Sequence, residues 1–356
     1  MTALPPGSTI GVLGNGQLGR MMALAAYPLG YRVHIFDPAP GPATQVTPLH
    51  TAAAWDDRAA LDRFAASVDV VTLEFENVPL AAVAHLATVV PVRPGPTVLG
   101  VCQDRIAEKT FLRDAGVPTA AWRPAYDPVQ LAAAVADLGD CIAKTARAGY
   151  DGKGQVRLSD PLAAEAAWDT LGRPDAVVVE GVVPFRCEVS VIVARGVDGA
   201  VASYEPVENV HAQHILRETH VPARIDPATA AAATALAHRI ATALDLTGLV
   251  AVELFVLADG GVVVNELAPR PHNSGHWTLD AAACSQFEQA IRAAAGLPLG
   301  PTARHHDAVM HNLLGDEVLG APALLADPAA RVHLYGKDTP RPGRKMGHVT
   351  WLGKPA

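Results

Sequence analysis

The feature that most constrains this chain is the alternation of apolar strands and helical segments across its first hundred residues. STIGVLG is a short apolar run, and QLGRMMALAAYPLG carries apolar residues at helical spacing up to Gly30. YRVHIFDP reads as a strand closed by Pro38, DDRAALDRFAAS as a helix, VDVVTLEF as a strand and LAAVAHLATV as a helix. Strands and helices in strict turn predict an α/β fold on a parallel sheet. The Pro/Gly-rich exit PVRPGPTVLG predicts a boundary near residue 100.

Beyond that boundary, residues 104–139 read as helical with a proline-punctuated break at VPTAAWRP. CIAKTARAGYDGKGQVRL reads as two strands around a glycine-rich loop, 161–171 as a helix, and VVVEGVVPFRCEVSVIVARG as strand-turn-strand. Residues 226–246 form a helical pattern. GLVAVELFVLADGGVVVNELAPRP then predicts a hairpin with a two-residue turn at Asp259-Gly260. A further helix covers about 279–295, and the last sixty residues are short strand-like pieces.

At about 150 residues per domain, 356 residues make two or three domains. Half the residues are hydrophobic and 18% are charged, which excludes global disorder. A net charge of −8 without a basic block argues against general nucleic-acid binding, so any anionic ligand must be met by local positive charge. No apolar run reaches the ~18 residues of a membrane span, and MTALPPGSTIGVLG lacks the pattern of a signal peptide. Cys102, Cys141, Cys187 and Cys284 are widely spaced and read as buried thiols of a reducing cytosol.

Several constellations carry chemistry. Gly14-Asn15-Gly16-Gln17-Leu18-Gly19 fits G-x-G-x-x-G between a strand and a helix, where backbone approaches a phosphate. Alone, it leaves open a nicotinamide site with Asp37 as ribose acid, another ligand, or a bare tight turn. Thr72, Glu74 and Glu76 share one strand face, and Glu76 and Asn77 fall at the carboxyl end where α/β sheets bind ligands. Lys144 precedes the loop Arg147 to Gln155, which is not a Walker A loop because Lys153 precedes Gly. It reads either as a flap that folds over phosphates or as a flexible hairpin with surface charges.

A two-residue turn at 259–260 sets Glu253 directly opposite Glu266. Facing carboxylates repel unless a divalent cation lies between them, and oxygen-only ligands favour Mg²⁺. Asn265 offers an amide oxygen, although alternation points it to the other face and a one-residue bulge would break the register. His272 and His276 have the i, i+4 spacing of a zinc pair, but Pro271, Ser274 and Gly275 oppose a helix there. A polar substrate loop using Arg270, His272 and Asn273 is the preferred reading. Arg341 to His348 is a basic cluster that matters only if the fold returns it to the pocket. Of six lysines, Lys144, Lys153 and Lys345 fall in these motifs; Lys109, Lys337 and Lys354 have no role visible in the sequence.

GNGQLGRMMALAA, TLEFENVP, GYDGKGQ, EGVVPFRCEVS, NELAPRPHNSGH and RKMGHVT, in this order, closely resemble the N5-carboxyaminoimidazole ribonucleotide synthetase family. The resemblance implies an α/β ATP-grasp architecture. Its parts would be a Rossmann-like pre-ATP-grasp domain over 1–100, an ATP-grasp region over 105–297 with a lid at about 120–180, and a small β-rich segment over 298–356 completing the substrate site. It implies an ATP-dependent carbon–nitrogen ligase that uses bicarbonate to carboxylate 5-aminoimidazole ribonucleotide through carboxyphosphate, with ATP and Mg²⁺ as cofactors, as a cytoplasmic homodimer.

Matching motif positions carries the family's roles over. The ATP site would comprise Arg105, Lys144, Gly149, Tyr150, Asp151, Gly152, Lys153, Gly154, Gln155, Glu180, Gly181, Val182, Val183, Glu188, His211, Asn265 and Glu266. Glu253 and Glu266 would hold Mg²⁺. Gln17, Leu18, Glu76, Asn273, Arg344 and Lys345 would bind the ribonucleotide, with Tyr150, Asp151, Arg270, His272 and Lys345 at the reacting centre. Asn15 and Ala148 stand where the family has glycine, and Gln213-His214 where Asp-Gly is usual. The rival readings are a formate-using ATP-grasp ligase, an NAD(P)-dependent oxidoreductase and a non-catalytic nucleotide module.

Overall fold

The computed structural model describes residues 3–149 and 152–355. The N-terminal part is the expected parallel sheet, with strands in the order Leu49–Thr51, Arg32–Phe36, Thr9–Leu13 and Val70–Leu73. Every residue of Thr9–Leu13 is buried, as befits a strand covered on both faces. The first helix, Gln17–Ala26, runs into a 3₁₀ turn that stops at Gly30, whose φ of 80° suits a residue without a Cβ. The Pro/Gly exit is not a bare linker. It carries the helix Pro96–Cys102, with proline in the first turn, where its missing N–H costs nothing.

Residues 104–139 do not form one helical stretch. Helices Arg105–Asp114 and Pro128–Leu138 flank a strand, Trp122–Ala125. Asp104 and Asp127 cap the two helices by accepting from N–H groups of their first turns. Trp122–Ala125 is the edge strand of a small antiparallel sheet, the place where Pro124 is tolerated. That sheet continues through Val177–Gly181, Cys141–Thr145 and Gln155–Leu158.

The third sheet is antiparallel and has nine strands among the described residues. It runs Val262–Ala268, Gly248–Leu257, Phe185–Arg195, Val207–Ala212, Ile215–Val221, His306–Leu314, Lys345–Pro355 and Ala330–Leu334, with Val201–Ser203 beside Phe185–Arg195. Two sequence readings change here. The strands on either side of Val182–Pro184 belong to different sheets, so that segment is a crossover and not a turn. The C-terminal strands extend the central sheet through Ile215–Val221. Helix Pro227–Ala243 covers this sheet with Ala233, Ala237 and Ile240 against Val191, Val250 and Val252. Helix Gln286–Ala295 and helix Gln17–Ala26 share one core through Ile291, Ala295, Met21 and Met22. All four cysteines are free, Cys141 and Cys284 buried and the other two partly so. Among the described residues no helix is long and apolar enough to cross a membrane.

Candidate active site

Glu253 does pair with Glu266, but by another route. The hairpin turn holds three residues, Ala258 to Gly260, and Val256 pairs with Val262, Phe255 with Val263 and Leu254 with Val264. That register misses the acids by one residue. A bulge at Asn265 then shifts it and brings Glu253 opposite Glu266. The two-residue turn was wrong, and the bulge that seemed to threaten the pairing restores it. Bulges re-aim side chains, so strict alternation no longer counts against Asn265. Desolvation by the groups crowded around it and the Glu253 charge push the Glu266 carboxyl upward. Glu253, half-buried, is held low by His272, His211 and Lys345 against the desolvation that would raise it. His272 Nε2 lies 2.9 Å from Glu253 Oε1. Two facing acids, Glu253 half-buried and Glu266 open to solvent, one driven towards its neutral form by the other, make a donor set that a hard divalent cation fits.

Behind this hairpin stands an ion cluster that the sequence did not reveal. Lys109 is 1% exposed; its Nζ lies 2.6 Å from Glu180 Oε1 and donates to the Asn265 carbonyl at 2.8 Å. Lys144 pairs with the other Glu180 oxygen. Burial alone would raise Glu180, but the two ammonium groups hold it at about 2. The cluster therefore joins the small sheet, helix Arg105–Asp114 and the bulge. Beside it Arg105 donates to the carbonyls of Thr145 (2.9 Å) and Gly149 (2.6 Å), fixing the base of the glycine-rich loop. His211 Nδ1 sits 3.2 Å from Glu188 Oε2 across neighbouring strands.

The loop after the hairpin turns its polar groups into this space. Arg270 makes a bidentate pair with Glu76, which lies past the carboxyl end of Val70–Leu73. Burial would raise Glu76, yet Arg270 keeps it at about 2. His272 to His276 is not helical beyond one 3₁₀ turn. His272 faces Glu253, whereas His276 is buried and bonded to Gln286, so the two are not a metal pair. Asn273 and Asn312 exchange amide hydrogen bonds at 2.9 and 2.6 Å, which ties the loop to a C-terminal strand. The basic cluster does return. Lys345 lies near enough to Glu253 and His211 to shift both, and Lys337 donates to the Lys345 carbonyl at 2.7 Å. Burial, Arg344 and Lys345 together push the Lys337 ammonium down to about 8.

A ribonucleotide synthetase pre-ATP-grasp domain matches residues 7–103, an ATP-grasp domain residues 110–287, and a phosphoribosylaminoimidazole carboxylase C-terminal domain residues 308–356. N5-carboxyaminoimidazole ribonucleotide synthase of Brucella melitensis is 51% identical over 98% of this chain and 97% of its own. The Bacillus subtilis enzyme of that name is 41% identical over 98% and 93%. The chain belongs to this synthase family. A crystal structure of an N5-carboxyaminoimidazole ribonucleotide synthetase with ADP superposes with a TM-score of 0.95 at 42% identity, covering 99% of this chain and 94% of that one. One from Aspergillus clavatus, in complex with ADP and 5-aminoimidazole ribonucleotide, gives 0.91 at 32% identity over 98% and 94%. The protein is therefore an ATP-grasp ligase of purine biosynthesis.

Membership in the synthase family leaves the G-x-G-x-x-G loop to be explained, and the geometry does so. Glu74 is buried and accepts from the N–H of Gly16 at 2.6 Å and of Gly19 at 2.9 Å. A Cβ on Gly16 would lie 2.4 Å from that carboxylate. An internal anion thus occupies the helix N-terminus where a dinucleotide phosphate would sit. Asp37 caps its own turn by accepting from Ala39 N–H. Asn15, which stands where the family has glycine, is not in the left-handed region; its amide bridges Ala39 and Thr44. The Leu18 side chain is core, leaving only its backbone to face a substrate. Ala148, Gln213 and His214 do have positive φ, 63°, 52° and 63°. A Cβ on Gly152 would lie 2.7 Å from His214, so this atypical turn touches the glycine-rich loop. Tyr150 and Asp151 lie outside the described residues.

Proposed function

We propose that the space between the small sheet, the bulged hairpin and the returning C-terminal strands is where 5-aminoimidazole ribonucleotide is carboxylated with ATP and bicarbonate. The observation that carries this reading is the convergence of Glu253, Glu266, His272 and Lys345 from three segments of the chain. In this reading the partition is 1–100, 105–297 with a lid at about 120–180, and 298–356. Glu180 and the crossover Gly181 to Val183 hold adenine, Glu188 and His211 hold ribose hydroxyls, and Arg105, Lys144 and the loop Gly149 to Gln155 face the phosphates. Glu253 and Glu266, with Asn265, would hold Mg²⁺, which would offset charge on the β- and γ-phosphates.

Bicarbonate is a poor electrophile. Its oxygen attacks the γ-phosphorus, the bond to ADP breaks, and carboxyphosphate forms. The exocyclic amine of the ribonucleotide then bonds to the carboxyl carbon as the carbon–oxygen bond to phosphate breaks, and the departing phosphate takes up the proton that the amine loses. Lys144 and loop N–H groups stabilise charge that grows in the first step. The closed loop keeps water from the intermediate. Lys337, Arg344 and Lys345 repel one another in the free protein, a repulsion that the ribonucleotide phosphate relieves. Gln17, Leu18 N–H, Glu76, Arg270 and Asn273 position the rest of that substrate, and His272 orients Glu253.

ADP release should require bicarbonate and 5-aminoimidazole ribonucleotide together. Turnover with formate and another amine acceptor, and none with this pair, would overturn the substrate assignment. A Glu253→Gln, Glu266→Gln variant should lose Mg²⁺-dependent turnover. A cytoplasmic homodimer is part of the proposal, and light scattering of the purified chain tests its stoichiometry.

A further inference from the structure

A second cluster of ligating side chains lies at the seam between the C-terminal strands and the short helix Thr278–Ala281. His333 and His348 are direct cross-strand partners, their rings stacked at 4.7 Å and 16°. Asp280 from the helix reaches His333 Nε2 through Oδ2 at 2.8 Å. One donor atom from each of Asp280, His333 and His348 lies within 4.8 Å of the others.

The hydrogen bonding of His348 points further. Its Nδ1 is bonded to the Tyr335 hydroxyl at 2.9 Å, and among the described residues its buried Nε2 has no hydrogen-bond partner. If Nδ1 carries the hydrogen and Tyr335 accepts it, Nε2 presents a bare lone pair. A ring nitrogen oriented by a hydrogen bond at the opposite nitrogen is the arrangement of a metal-ligating histidine. His276 packs on the same ring at 4.9 Å but is not a ligand. Its Nδ1 accepts from Gln286, which leaves the hydrogen on Nε2.

We propose that Asp280, His333 and His348 bind one borderline divalent transition cation of the zinc, cobalt or nickel class. Two imidazoles and a carboxylate suit such ions and not Mg²⁺. The cation replaces the proton shared by Asp280 and His333 and engages His348 Nε2. His333 is 32% exposed, which supplies an entry path and a side for a water ligand. The site clips the C-terminal strand pair to the helix that follows the His272 loop, and it shares no ligand with Glu253 and Glu266.

The test titrates Co²⁺ into the full-length protein saturated with Mg²⁺ and ADP, following ligand-field absorption and equilibrium dialysis. One tightly bound equivalent with four-coordinate absorption is expected. Affinity should fall at least tenfold in His333→Ala and in Asp280→Asn, and persist in the Glu253→Gln, Glu266→Gln variant. Co²⁺ should also raise the thermal midpoint of the wild type and not of His333→Gln, a milder change at a partly exposed position. No bound equivalent, binding that survives both His333→Ala and Asp280→Asn, or binding lost in the Glu253/Glu266 variant would overturn the proposal.

Discussion

Replacing Lys109 by Met keeps its length and removes its charge from a site that is 1% exposed. Glu180, itself 5% exposed, then keeps only Lys144. Holding Glu180 at about 2 in place of 4.5 corresponds to ~3 kcal/mol of stabilisation by the ammonium pair. Breaking a buried pair from one side costs about 3–5 kcal/mol. Because Lys144 remains, the expected loss at pH 7 is the lower figure, about 3 kcal/mol, read from urea unfolding. The sign of the pH dependence follows from the depressed carboxyl. The stabilisation is complete above pH 4.5 and is lost as pH falls towards 2, so the gap between wild type and Lys109→Met narrows over that range. Adding Glu180→Gln to Lys109→Met removes the stranded charge and should recover at least about 1 kcal/mol. Lys144, 19% exposed, can then turn to solvent. A loss below ~1 kcal/mol at pH 7, or an equal loss at pH 7 and pH 3, would refute this account.

Lys337 should be protonated below pH 8 and lose its charge above it, so KM for the ribonucleotide should rise with alkaline pH; Lys337→Arg should flatten that profile. Glu74→Gln presents an amide N–H to the Gly16 or Gly19 N–H, and should cost about 1–3 kcal/mol in denaturant unfolding. NADH should show no fluorescence enhancement with the wild type, because Glu74 fills the dinucleotide position. Ala148→Gly relieves a positive φ and should raise stability by roughly 1 kcal/mol. His214→Gly relieves similar strain but removes the contact with Gly152, so lid closure measured by ADP affinity should weaken.

Much of the site was legible because local rules carry it. Period-two alternation put Glu76 at a strand end, and turn chemistry put Glu253 near Glu266. The hairpin is instructive, since a turn one residue too short and an unseen bulge offset each other. A bulge leaves little trace in an apolar run such as GVVVNELA, where neighbouring residues suit either register. The strand Trp122–Ala125 was hidden by prolines that read as a break, although an edge strand accepts them.

The sequence by itself determined the α/β alternation, the glycine-rich loop and the motif order that marks the family. Each of these rests on neighbours within a few residues, where backbone geometry dictates what the pattern means. Only the tertiary structure decided that Glu74 fills the glycine loop, that Lys109 neutralises Glu180, that Asn273 locks to Asn312, and that Lys345 returns to Glu253. Those partners come from separate elements, and what joins them is the requirement that a buried charge or amide find its complement once packing has excluded water.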